Sequence, residues 1–166
     1  YITDPDTGNK RIPWDLMPSF WVTENDYYDN KKWLKTPLMQ SGNVEEKYKA
    51  VCGGIDEITK KHGYVRNGNI YKVESESRET VALFCHFGVE CVILSHLLGI
   101  SPVILWHNFC ALPSSVTTLV TEEREQGKAA FRMCGFGDLS HLYAGDEEPS
   151  FQARFCETYS NFEERH

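Results

Sequence analysis

The stretch from Val81 to Leu98 reads as strand, tight turn and buried helix in immediate succession. Val81-Ala82-Leu83-Phe84-Cys85 is an unbroken apolar run between polar and charged flanks, the pattern of a strand buried on both faces of a parallel or mixed sheet. His86-Phe87-Gly88 supplies the turn. From Val89 to Leu98 nearly every position is apolar, until Gly99 and Pro102 stop the segment. A run of about a dozen apolar residues falls short of the ~20 that a membrane span requires, so a transmembrane protein is not expected.

The flanking sequence supplies further strands and helices. Tyr1 to Trp21 combines prolines with Trp14, Phe20 and Trp21, which suits an irregular surface segment pinned by its aromatics. Thr23, followed by Glu24 and Asp26, signals a short helix running to Lys35 and ended by Pro37. Asn43 and Glu46 form a capping-box pattern. Behind it Val44, Tyr48, Val51, Ile55, Ile58 and His62 alternate at spacings of four and three, one face of a helix that Gly63 closes. Gly53-Gly54 inside that helix costs ~1 kcal/mol each against alanine, which suggests close packing or a kink. Asn67-Gly68 centres a hairpin over Tyr64 to Val73. Val116 to Val120 and Ala129 to Cys134 give a second strand pair across a charged loop. Phe151, Phe155, Tyr159 and Phe162 repeat at helical spacing behind Pro149. Strands mixed with long helices point to an α/β layered domain.

The chain has 166 residues, 41% apolar and 25% charged, the range of one globular domain. We read 1–166 as a single domain, with 1–42 an insertion or lid segment and 43–166 the sheet-and-helix core. The net charge is −7, and no basic run exceeds the pairs Lys31-Lys32 and Lys60-Lys61, so there is no track for a nucleic-acid backbone. The six cysteines form no C-x-x-C pair. Dispersed in apolar surroundings, they read as buried, reduced thiols in a cytoplasmic protein. The chain opens at Tyr1, without an initiator methionine or a signal peptide. That leads us to expect a missing N-terminal part.

His86 is the first candidate for chemistry. In open α/β sheets, ligands bind beyond the carboxyl ends of strands, and His86 stands at such an end, before a glycine-containing turn into a helix. Helix N–H groups and a protonated imidazole would both attract an anion, phosphate being the common case. The alternative is a histidine that caps the turn with its own hydrogen bonds. Cys85 adjoins His86, but neighbouring strand residues point to opposite faces, and no C-x₅-R phosphate loop follows Cys85 or Cys91. His107 and Cys110 share an H-x-x-C spacing without a second ligand pair. Ser114-Ser115 lacks a nucleophile elbow and reads as a turn before a strand. Glu122 to Glu125 reads as a solvated hairpin tip. His62, His96 and His141 join no constellation.

Four segments together resemble the C-terminal half of the histidine phosphatase superfamily, nearest its phosphoglycerate mutase-like branch. They are Thr80 to Val89, Leu94-Ser95-His96-Leu97-Leu98-Gly99, Pro113 to Leu119, and Gly137-Asp138-Leu139-Ser140-His141-Leu142. The resemblance implies a three-layer αβα sandwich, incomplete in this chain, and phosphotransfer through a phosphohistidine on a small phosphorylated metabolite. His86 matches the second phosphate-pocket histidine, which hydrogen-bonds the transferring group opposite the nucleophile; the Phe87 N–H is the companion donor. The nucleophile of such enzymes lies in an Arg-His-Gly motif, and none occurs in these residues. His62-Gly63 is preceded by Lys61 at a helix end and does not match it. No cofactor and no metal ion is implied. The expected partners are the phosphorylated substrate or inorganic phosphate and the absent N-terminal segment, which should leave a sheet face or edge open; a homodimer is allowed. The competing expectation is a truncated, non-catalytic module that binds phosphate or a protein.

Overall fold

The computed structural model describes residues 1–151 and 157–165. It is a mixed α/β structure with helices and antiparallel sheets. Two compact units can be distinguished: Tyr1–Phe109 with Glu122–Phe131, and Cys110–Thr121 with Arg132–His166.

The first unit opens with β1 (Ile2–Thr3) paired antiparallel to β2 (Lys10–Arg11). Asp4 holds this loop together. Its carboxylate accepts the Asp6 and Thr7 N–H groups at 3.0 and 3.1 Å and the Arg11 Nε–H at 3.0 Å. The short helix α1 (Pro18–Trp21) follows. The helix expected from Thr23 to Lys35 is instead two separate 3-10 turns, Asn25–Tyr28 and Trp33–Lys35. Glu24 caps the first by accepting the Asp26 N–H at 3.2 Å, while the Thr23 hydroxyl donates backward to the Phe20 carbonyl at 3.0 Å. Pro37 does not end a helix; it begins α2 (Pro37–Gln40), where its missing N–H costs nothing.

Helix α3 (Val44–Lys61) buries Val44, Cys52, Ile55 and Thr59. Its expected capping box does not form, because the Asn43 side chain accepts the Tyr1 ammonium at 3.4 Å instead of a helix N–H. Nor do Gly53 and Gly54 mark close packing: a Cβ at either would meet nothing within 4 Å. The hairpin of β3 (Tyr64–Asn67) and β4 (Ile70–Val73) turns at Gly68, in the left-handed region at φ +64°.

The buried strand expected at Val81–Cys85 is absent. Among the described residues this run has no strand partner and is exposed, with Phe84 98% accessible. An apolar run specifies a two-sided strand only when neighbouring strands and covering layers are available to it, and here the sheet is built from other segments. The helix after it forms as read: α4 (Phe87–Leu98) ends at Gly99, φ +73°. Pro102, however, starts a further helix, α5 (Pro102–Asn108), whose cap is Ser101 accepting the Val103 N–H at 3.3 Å. Trp33, Tyr71, Leu94, Leu105 and Cys91 form the deepest part of the core of this unit.

Strands β5 (Val116–Glu125) and β6 (Lys128–Asp138) make the second hairpin, completing a sheet in the order β3-β4-β6-β5. In the first unit, Tyr71 and Lys72 of β4 pair with Ala129 and Lys128. The second unit continues through α6 (Ser140–Ala144) to an antiparallel pair, β7 (Glu157–Thr158) and β8 (Asn161–Arg165). The tail is thus not the helix its aromatic spacing suggests: Tyr159 lies in the turn between β7 and β8, Phe162 lies in β8, and Phe155 lies outside the described residues. No helix among the described residues is long and apolar enough to cross a membrane.

Candidate functional site

His86 is the N-cap of α4, with extended backbone at φ −87°, ψ 155°. Its carbonyl accepts the Val89 and Glu90 N–H groups, both at 3.0 Å. The imidazole takes no part. It makes no capping hydrogen bond, it is exposed, and it has no hydrogen-bond partner among the described residues. Phe87 is the first helical residue and is half-buried; Gly88 is buried. The partial positive charge of a helix N-terminus therefore adjoins an imidazole that is able to donate outward.

Both ends of α4 are tethered. At its start the Trp106 indole N–H donates to the Gly88 carbonyl at 3.1 Å. Trp14 also lies against Gly88: a Cβ there would stand 3.0 Å from two atoms of the indole. This explains a glycine two positions after His86, since a larger residue would push Trp14 away. At the helix end the Arg66 Nη2 donates to the His96 carbonyl at 2.9 Å, and the Asn30 amide donates to the Gly99 carbonyl at 2.6 Å.

Arg66 belongs to a polar network missed in the sequence. Its Nε and the His96 Nε2 each stand 2.8 Å from the Asp56 Oδ1. It also donates to the Tyr71 hydroxyl, and its guanidinium stacks over that ring at 4.7 Å. The three elements α3, β3 and α4 are joined by it. Asp56 follows Ile55 at the border of the apolar face of α3, so a carboxylate at that border was the available signal.

The other candidates are occupied or unsuited. The His107 Nδ1 donates to the Val103 carbonyl at 2.8 Å, and its Nε2 accepts the Leu16 N–H at 3.3 Å, so neither nitrogen is left for a metal. Trp21 stacks on the same ring at 5.1 Å. His62 is paired with Glu79, Nδ1 to Oε2 at 2.6 Å. Burial, and then the charge of Glu90, push the Cys85 thiol up, away from the thiolate a nucleophile requires. No group of three or more metal-ligating side chains occurs among the described residues. In the second unit Ser114 has φ +65° and the Ser115 N–H closes a turn on the Leu112 carbonyl at 3.0 Å. Asp138 accepts the Ser140 N–H at 2.7 Å, which holds its carboxyl below the usual range and fixes the start of α6.

Burial lowers the pKa of both His107 and His96 below the ordinary histidine value. A lowered folded-state value means that the unfolded chain binds more protons across the window beneath about 6.5. Stability therefore rises with pH through that window, levels off above it, and is lost as pH falls. The melting temperature is expected to be lower at pH 5.5 than at pH 7.5, with a shallower decline for His107→Gln. Equal melting temperatures at the two pH values would contradict this.

A scan against protein-family models, a search of curated proteins and a search of solved structures each gave no match.

Proposed function

We propose that this chain carries the phosphate pocket of a histidine-dependent phosphatase or mutase, with His86 as the second phosphate-pocket histidine and the Phe87 N–H beside it. The observation that supports this reading is the uncommitted His86 imidazole. A histidine serving only as a cap would spend its ring on the helix N–H groups, whereas here the ring makes no such bond. In the proposed reaction a phosphoryl group passes from a small phosphorylated metabolite to a ring nitrogen of the nucleophilic histidine, which is not His86. The leaving oxygen takes a proton from a carboxylic acid, and water or another hydroxyl then accepts the phosphoryl group. His86 forms no bond to phosphorus. As an imidazolium it donates to the equatorial oxygens and stabilises the charge they carry during in-line transfer. The nucleophile of this scheme belongs to an Arg-His-Gly segment that the 166 residues do not contain. The corresponding fold is a three-layer αβα sandwich of the phosphoglycerate mutase-like type, to which this chain would contribute the C-terminal portion. The buried thiols of Cys52 and Cys91 suit a reducing cytoplasm, whereas Cys85 and Cys134 are exposed and depart from the expected burial.

A second reading, a non-catalytic phosphate-binding or protein-interaction module, draws on the exposed run Val81–Cys85. Five apolar residues open to solvent form the kind of surface that another chain covers.

Calorimetric titration with inorganic phosphate and with orthovanadate tests the first reading. The wild-type chain is expected to bind both, and His86→Ala to lose at least about tenfold in affinity, the scale of one charge-assisted hydrogen bond. Unchanged affinity in His86→Ala would remove His86 from the pocket.

A further inference from the structure

A cavity of about 340 Å³ lies in the N-terminal segment of the first unit, and neither His86 nor the first turn of α4 lines it. It is bounded by β1, α1, the Asn25–Tyr28 turn with its Glu24 cap, and α2. Pro5, Phe20, Tyr27, Pro37 and Leu38 supply its apolar wall. A volume in the range of ~300–1,000 Å³, with a largely apolar wall and few polar groups, is the usual form of a small-molecule site.

Bonds within the chain set the shape of this cavity. At the end of α2 the Ser41 hydroxyl accepts the Thr3 N–H at 2.9 Å and donates to the Leu38 carbonyl at 2.6 Å, which ties α2 to β1. The Asp4 carboxylate holds the turn that carries Pro5. Tyr27 is buried, and its carbonyl accepts the Ser101 hydroxyl, so the Asn25–Tyr28 turn is anchored to the start of α5.

The polar groups of the wall select the chemistry of a ligand. The Thr23, Thr36 and Ser41 hydroxyls donate to the Phe20, Trp33 and Leu38 carbonyls at 3.0, 2.8 and 2.6 Å. With their protons spent, they have only lone pairs to offer a further partner. Glu24 is the one charged residue in the lining. Its carboxylate accepts the Asp26 N–H at 3.2 Å and has no salt-bridge partner among the described residues; Lys32 pairs with Asp26 instead, at 3.6 Å. Burial, and to a smaller degree the charge of Glu24, push the Tyr27 hydroxyl up, so that charge is felt at the cavity wall. Lys10 donates to the Thr3 hydroxyl at 3.2 Å without itself lining the cavity. An anion would be repelled by Glu24, and a neutral apolar molecule would leave its charge unused. A protonated amine on a compact apolar body matches both the wall and the carboxylate.

We propose that this cavity binds a small organic ammonium ion, a primary amine on a compact aromatic or aliphatic body, with Glu24 as its counter-ion. The ammonium group donates to the Glu24 carboxylate while the body packs among Phe20, Tyr27 and Leu38. This site is independent of the phosphate reading of His86.

The test is equilibrium binding of phenethylamine, phenethyl alcohol and phenylacetate at neutral pH, three probes with similar bodies and a positive, neutral or negative end. The amine is expected to bind about tenfold more tightly than the alcohol, the scale of one charge-assisted hydrogen bond, and the acid more weakly than either. Saturable NMR shifts of the Leu38 and Thr36 methyl groups should report the amine in the cavity of the wild-type chain. Glu24→Gln keeps a side-chain oxygen to cap the Asn25–Tyr28 turn, and it should reduce the amine to the affinity of the alcohol. Equal affinity for amine and alcohol, an amine affinity unchanged in Glu24→Gln, or saturable shifts confined to other residues would overturn the proposal. So would the absence of saturable amine binding.

Discussion

Trp33→Ala is expected to destabilise the protein by about 3–5 kcal/mol, the range for removing a fully buried large aromatic. Trp33 is completely inaccessible. It meets Tyr48 edge-on at 5.0 Å and Trp106 edge-on at 5.6 Å, linking the 3-10 turn at Trp33–Lys35 to α3 and α5. Alanine would leave a cavity between three elements that cannot all close on it. Its indole Nε1 is buried without a hydrogen-bond partner among the described residues. Trp33→Phe, which removes that unsatisfied donor while keeping most of the ring, should therefore cost much less than Trp33→Ala. Urea denaturation checks both: the midpoint should fall steeply for alanine and modestly for phenylalanine, with the slope unchanged. Equal losses in the two variants would contradict the packing described for Trp33.

Gly63→Ala should rank next, at about 2–4 kcal/mol. Gly63 has φ +89°, where a side chain costs about 1–2 kcal/mol before any contact is considered. A Cβ there would also stand 2.2 Å from the Ser75 carbonyl oxygen, a backbone atom that cannot simply rotate away. Gly63 joins α3 to β3, donating to the Lys60 carbonyl at 3.1 Å and accepting the Glu74 N–H at 2.8 Å, so displacement would disturb both elements. Gly53→Ala in the same helix is the control. Its Cβ would meet nothing within 4 Å, and alanine should stabilise α3 by up to ~1 kcal/mol. Thermal or urea melts should move in opposite directions for the two variants. A neutral Gly63→Ala would mean that the α3–β3 junction differs from the one described.

These two sites mark what could and could not be read from the residues. Gly63 as the stop of α3, the Asn67-Gly68 hairpin, α4 with its Gly99 end and a second strand pair from Val116 were legible, because each depends on local periodicity and on a turn residue, but the charged segment Glu122 to Glu125, expected as a hairpin tip, belongs to β5. Val81–Cys85 was not, because a strand is defined by partners distant in sequence, and five apolar residues do not name them. Pro102 was ambiguous in principle: a proline ends one helix as readily as it opens the next, and only the Ser101 cap decides. At the candidate site, His86 at the start of α4 was visible from the residue pattern alone. The Trp14 ring over Gly88 and the convergence of Arg66 and His96 on Asp56 were not, since each joins residues far apart in the chain with no pattern linking them.

The central claim is that the His86 imidazole and the first turn of α4 form an anion pocket for phosphate. Amide and imidazole NMR spectra of the chain during titration with inorganic phosphate at constant pH and ionic strength test it most directly. The account predicts saturable shifts at the His86 ring and at the Phe87 and Gly88 amides, with the His62 and His141 rings unmoved. Phosphate shifts that are absent from His86, or that are equal at all exposed histidines, would contradict it.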